Sequence, residues 1–203
     1  MLPFDVILFD VGGVLLTNGW DHRERAQVLN HFQLDVAAFE ARHPAPNDAW
    51  ERDVIPVKAY LDATVFYEPR RFSHDDFIAR MLEQSKPLAD GALGILAELA
   101  ASDQYLVGAL NNEARETNDY RFQTFGLRDH FSVALSSCYI GLRKPDLAIY
   151  KRALDILGRP AHRVLFIDDR AGNVASAEAV GMKGIQFQGA DQLRRELASL
   201  GVI

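Results

Sequence analysis

Five short, almost uninterrupted apolar runs constrain this chain more than any other feature. They are DVILF (Asp5–Phe9), YLVGAL (Tyr105–Leu110), FSVAL (Phe131–Leu135), VLFI (Val164–Ile167) and GIQF (Gly184–Phe187). A strand with one wet face alternates apolar and polar residues. A run without alternation fits a strand covered on both faces, as in a parallel sheet. Helical patterns lie between the later runs: Ala92–Ala101, Ala114–Phe125, Leu147–Leu157 and Asn173–Val180, with a further helix at Asp191–Leu200. In LAIYKRALDIL the apolar positions Leu147, Ile149, Tyr150, Ala153, Leu154 and Leu157 gather toward one helical face. Strand–helix alternation of this kind predicts an α/β fold, a doubly wound, Rossmann-like parallel sheet.

The stretch from about Thr17 to Pro87 breaks that rhythm. It holds helical segments (Arg23–Phe32, Val57–Phe66, Asp75–Gln84) and no convincing strand. HPAPND (His43–Asp48) and YEPRRFSH (Tyr67–His74) read as turns, and Ser73 with Asp76 as a capping box. The expected organisation is a core of residues 1–16 and 88–203, with residues 17–87 inserted after the first strand as a helical lobe.

With 203 residues, 48% of them hydrophobic, the chain can bury a substantial core. Its net charge of −6 opposes nucleic-acid binding, which needs a basic surface. The single cysteine, Cys138, provides neither a disulfide framework nor a cysteine zinc site and reads as a small buried residue. No apolar run approaches the ~20 residues of a membrane helix, and the first residues lack the pattern of a signal peptide. A cytoplasmic protein, monomeric or homodimeric, without membrane or nucleic-acid partners, is expected.

Ligands of open α/β sheets bind beyond the carboxyl ends of the strands. The first run is followed by Asp10, Gly12 and Gly13, and the second by Asn111 and Asn112. Ser136, Ser137 and then Lys144 follow the third; Asp168, Asp169 and Asn173 follow the fourth. Taken singly, each has an ordinary explanation: a cap, an exposed turn, a solvated loop residue. In one parallel sheet they meet along one edge. Acids without histidine or cysteine suit a hard cation, Mg²⁺ foremost. Lysine and amide donors suit phosphate oxygens, and glycines let backbone N–H groups face an anion. A carboxylate in such a place can attack phosphorus and form an aspartyl-phosphate.

FDVGGVLL, ALNNE, GLRKPDLAIYKRAL and VLFIDDRAGNVASAEAVGM, in this order, resemble the four motifs of the haloacid dehalogenase-like (HAD) hydrolase superfamily. The resemblance is greatest to small sugar-phosphate phosphatases of the α-glucose-1-phosphatase type and to the phosphatase domain of soluble epoxide hydrolase. It implies a Mg²⁺-dependent phosphatase acting on a small phosphorylated metabolite, with the inserted lobe as its cap. Asp10 would be nucleophile and metal ligand, and Gly12 would offer its carbonyl to the metal. Asn111 and Asn112 would hold phosphoryl oxygens, and Lys144 would bridge Asp10 and the phosphate. Asp169 would bind the metal directly; Asp168 would act through water or orient Lys144. Asn173 would be structural.

Two positions depart from that pattern. Many relatives carry an acid two residues after the nucleophile, where this chain has Gly12; such general acid–base help is typically worth ~10²–10⁴ in rate. Asn111 stands where Ser or Thr is usual. Asp21 and His22 are the cap candidates to supply the missing proton. Trp20, Trp50, Tyr67, Arg70 and Arg71 are candidates to select the leaving group, with Trp50 the more natural core residue. Two alternatives follow from the departures. One is a 2-haloacid dehalogenase-type hydrolase, in which Asp10 attacks carbon with the aid of an arginine such as Arg23. The other is a non-catalytic member that binds a phospholigand or a protein.

Overall fold

The computed structural model describes residues 2–203. Five strands, β1 (Val6–Phe9), β2 (Leu106–Ala109), β3 (Val133–Ala134), β4 (Val164–Asp168) and β5 (Lys183–Gln186), form one parallel sheet in the order β3-β2-β1-β4-β5. The register pairs Phe9 with Ala109 on one side and with Ile167 on the other. The side-chain period of two explains the unbroken apolar runs. Ile7 and Phe9 enter the core on one face, and Val6 and Leu8 enter the core on the other. β4 divides in the same way, Leu165 and Ile167 against Val164 and Phe166.

Helices α1 (His22–His31), α2 (Val36–Arg42), α3 (Pro44–Glu51), α4 (Val57–Thr64) and α5 (His74–Leu82) follow β1. They gather around a core of their own that includes Trp20, Leu29, Phe39, Trp50, Tyr60 and Phe77. The remaining helices belong with the sheet: α6 (Leu93–Ser102), α7 (Arg115–Thr124), α8 (Ser137–Ile140), α9 (Leu147–Leu157), α10 (Ala171–Ala179) and α11 (Ala190–Ser199). α9 covers the predicted span and is bounded by an Asp146 cap and by Gly158 in the left-handed region.

α2 and α3 are missing from the sequence-based expectation, and HPAPND is helix rather than turn. Pro44 stands at the first position of α3 and Pro46 in its first turn, where no N–H is needed for intrahelical bonding. The capping box of Ser73 and Asp76 is present at α5. Cys138 is buried, and burial pushes its thiol up to about 12.

The chain leaves and re-enters the sheet layer through two segments that bond to each other. Thr17 N–H donates to the Lys86 carbonyl (2.8 Å), and the Thr17 hydroxyl donates to the Gln84 carbonyl (2.7 Å). No helix among the described residues is long and apolar enough to cross a membrane.

Candidate active site

Strand order reverses between β1 and β4, since the chain reaches β4 from β3 at the far edge. A crevice at such a switch point receives the residues that follow both strands. Asp10 follows β1 directly, while Asp168 ends β4 and Asp169 follows it. Carboxylate oxygens of all three lie within 4.8 Å of one another.

Lys144 enters this cluster from the segment before α9. Its Nζ lies 3.0 Å from Asp10 Oδ1 and 2.6 Å from Asp168 Oδ2. Asp168 is fully buried and fully engaged. It accepts from Lys144, from Asn173 Nδ2 at 3.0 Å to both oxygens, and from the Arg170 N–H at 2.8 Å. Asp168 therefore orients Lys144, and Asn173 orients Asp168. Asp10 accepts the Val11 N–H at Oδ1 (2.7 Å), the oxygen that also meets Lys144, so Oδ2 is left for other chemistry. Asp169 differs from Asp168: its Oδ1 is buried without a hydrogen-bond partner. Such an atom is costly unless something else meets it.

Burial pushes the Asp10 carboxyl up; Lys144 pulls it down, and Asp168 and Asp169 add to the rise. Asp169 is raised as well, by burial and then by Asp168. For Lys144 burial disfavours the charge, but Asp10 and Asp168 outweigh it and hold the ammonium on. Three carboxylates thus face one ammonium, with the Arg170 guanidinium nearby but paired to Asp21, and Asp10 and Asp169 remain raised by burial and by repulsion among the carboxylates. All-oxygen donors with an orphaned Asp169 oxygen fit a hard divalent ion.

Gly13 is a steric requirement of this arrangement. Its φ is +74°, and a Cβ there would stand 2.2 Å from Asp169 Oδ2. The amides are arranged differently from one another. Asn112 donates to the Lys144 carbonyl and accepts its N–H, both at 2.8 Å, so its side chain clamps the Lys144 peptide. Asn111 is buried, donates to Asn118 (3.0 Å) and accepts from Ser136 (2.7 Å).

The cap candidates are dispersed. Trp20 and Trp50 are core residues: Trp20 donates to the Tyr60 hydroxyl (2.7 Å), and Trp50 stacks on the Tyr60 ring. Tyr67 is exposed with Arg42 and Arg70 over its ring. Arg71 and Arg23 are exposed. Asp21 caps α1 and pairs with Arg170 at 2.8 Å, while the His22 ring meets Arg25 and Glu40. Sequence reading also passed over Glu113 and Arg121, a buried pair beside the site; Arg121 donates to Glu113 and to the Thr17 carbonyl. An arginine amid the polar face of a helix carries no signal of burial.

A family model for haloacid dehalogenase-like hydrolases matches residues 4–181. The chain belongs to that family. Among its relatives, phosphatase MT3486 of Mycobacterium tuberculosis is 36% identical over the whole of this chain and 97% of its own. Flavin mononucleotide hydrolase 1 of Arabidopsis thaliana is 30% identical over 86% of this chain and 74% of its own length. In fold, the chain is similar to the magnesium complex of HAD family enzyme bt-2542 from Bacteroides thetaiotaomicron. The TM-score is 0.79 and the identity 20%, with 95% of this chain and 99% of that one covered.

Proposed function

We propose that this HAD hydrolase is a Mg²⁺-dependent phosphatase that hydrolyses a small phosphomonoester, a sugar phosphate among the candidates, through an aspartyl-phosphate on Asp10. The observation that carries the reading is the cluster itself: Asp10 with one oxygen open, Lys144 bound to it, and Asp169 with an orphaned oxygen. The phosphatase names of the relatives support it.

Asp10, Asp169 and the Gly12 carbonyl are the groups that would hold Mg²⁺, with Asp168 behind them. When bound, the ion supplies charge neutralisation between carboxylate and phosphate. The chain's own residues do the rest. An Asp10 oxygen attacks phosphorus, and the bond from phosphorus to the ester oxygen breaks. Lys144, kept charged by Asp10 and Asp168, donates to the transferring phosphoryl group. Asn112 holds the Lys144 peptide in place while this happens. Water then cleaves the aspartyl-phosphate, returning the Asp10 carboxylate.

Residues 17–87 act in this reading as a cap that excludes water from the cleft. The test is phosphate release from a panel of phosphorylated metabolites, with Mg²⁺, with EDTA, and with Asp10→Asn. Release that needs both Mg²⁺ and Asp10 is expected. Release from no substrate, or equal release by Asp10→Asn, overturns the reading.

A further inference from the structure

Gly12 leaves the site without the acid that protonates a leaving group in many phosphatases of this kind. The space beside it is nevertheless filled. A Cβ at position 12 would lie 3.0 Å from Asn18 Oδ1 and 3.5 Å from Asn18 Cα. The end of the residue 18 side chain therefore stands in contact with the place where a side chain at position 12 would begin, with an Arg121 guanidinium nitrogen 3.7 Å from it. Asn18 is half-buried, and its carboxamide has no hydrogen-bond partner among the described residues.

The segment that carries Asn18 is fixed on both sides. Arg121 donates to the Thr17 carbonyl, and the Trp20 N–H donates to the Asn18 carbonyl at 2.7 Å. Between them Gly19 has φ +67°, and a Cβ there would sit 3.3 Å from the Arg121 guanidinium. Asn18 thus sits on a fixed stretch of backbone and carries an amide free of other partners.

The acids that could replace it are each held by an arginine. Asp21 pairs with Arg170, Glu113 with Arg121, and Glu51 with Arg143. Each of these carboxylates already has a guanidinium as its partner. The His22 ring lies against Arg25 and Glu40.

We propose that Asn18 serves as the leaving-group contact, its carboxamide N–H donating to the ester oxygen as the phosphorus–oxygen bond breaks. Either end of a carboxamide can be turned to a partner by a half-turn of its terminal bond. The inference rests on the phosphatase reading above. The electron pair of the breaking bond stays on the leaving oxygen, which Asn18 stabilises but does not protonate; the proton comes from solvent water, which becomes hydroxide. In the second step the attacking water's hydrogens end on the released phosphate, and one of them neutralises that hydroxide, leaving the monohydrogen phosphate dianion and the alcohol. A site built this way favours substrates whose alcohol departs with little protonation: aryl, enol and anomeric phosphates ahead of simple alkyl esters.

The test measures kcat/KM for a series of phosphomonoesters of graded leaving-group acidity with the wild-type chain, Asn18→Ala and Asn18→Asp. The wild type is expected to slow steeply as the leaving group becomes more basic. Asn18→Ala is expected to lose about tenfold more on alkyl than on aryl esters, the size of one charge-assisted hydrogen bond. Asn18→Asp, which restores a carboxyl group in this space, is expected to flatten the dependence. Orthovanadate titrated by tryptophan fluorescence gives a readout without turnover, since Trp20 lies two residues away; Asn18→Ala is expected to weaken its binding. Equal losses on every ester, with both variants folded by circular dichroism, overturn the role of Asn18 alone. Absence of Asp10-dependent release in the wild type overturns the phosphatase reading and this inference with it.

Discussion

At the scale of single residues, the site depends on which carboxylate oxygens are engaged and which are open. Asp168 and Asp169 are neighbours of the same type with opposite situations: one has every oxygen satisfied by Lys144, Asn173 and a backbone N–H, the other has a buried oxygen with nothing to meet it. Asp168→Asn is therefore expected to act through Lys144, lowering kcat, whereas Asp169→Asn is expected to act through the metal. Isothermal titration with Mg²⁺ separates them, the affinity falling much further for Asp169→Asn. Gly13→Ala is expected to be severe for a residue without chemistry of its own. The left-handed backbone costs an alanine about 1–2 kcal/mol, and its Cβ would displace Asp169. A displacement near 1 Å costs roughly 10²-fold in rate, to be read as kcat/KM beside the thermal midpoint. The DD pair after VLFI was legible in sequence as a pair. The division of labour within it came only with the family resemblance and not from the residues themselves, because it depends on Asn173 reaching back from α10 to Asp168.

At the scale of elements, the strands were legible because both faces of the sheet are covered, and each run had to be apolar throughout. The lobe was legible only in part. α2 and α3 are short, and the prolines of α3 read as punctuation although they sit where a helix tolerates them. Within the apolar core of these helices runs a buried polar chain: Trp20 donates to the Tyr60 hydroxyl, and that hydroxyl meets His43 Nδ1 at 2.8 Å. The tryptophan can only donate, so the hydroxyl accepts from it and shares its other hydrogen bond with the His43 ring. Burial, with Arg25 nearby, lowers His43 from 6.5 to about 4. Between those values the unfolded chain binds a proton that the folded chain refuses. This contribution is complete above pH 6.5, declines as pH falls toward 4, and changes no further below it. His43→Gln, which keeps an acceptor without titrating there, is expected to flatten the dependence of the thermal midpoint over that window; an unchanged slope would show that His43 is not the group responsible.

At the scale of the whole molecule, the helical lobe is held over the strand ends by contacts far apart in sequence. Arg143, next to Lys144, pairs with Asp48 at 2.8 Å and Glu51 at 2.6 Å, both on α3. Arg115 pairs with Asp53, and Trp50 donates to Glu116 at 2.9 Å. Partly exposed pairs contribute about 0.2–1 kcal/mol each and weaken with salt. Arg143→Ala is accordingly expected to raise KM severalfold and reduce its salt dependence, with hydrogen exchange in α3 faster than in β1. None of this was legible in sequence, where Arg143 is one charge in a loop and its partners lie ninety residues earlier. The central claim, that Asp10 takes the phosphoryl group, is tested most directly by trapping it. The chain is mixed with Mg²⁺ and an activated aryl phosphate, quenched in acid and digested, and the peptide that carries Asp10 is weighed. A mass gain of one phosphoryl group on that peptide, absent with Asp10→Asn and with EDTA, is the predicted result. Phosphate release without any such adduct, and undiminished by Asp10→Asn, would contradict it.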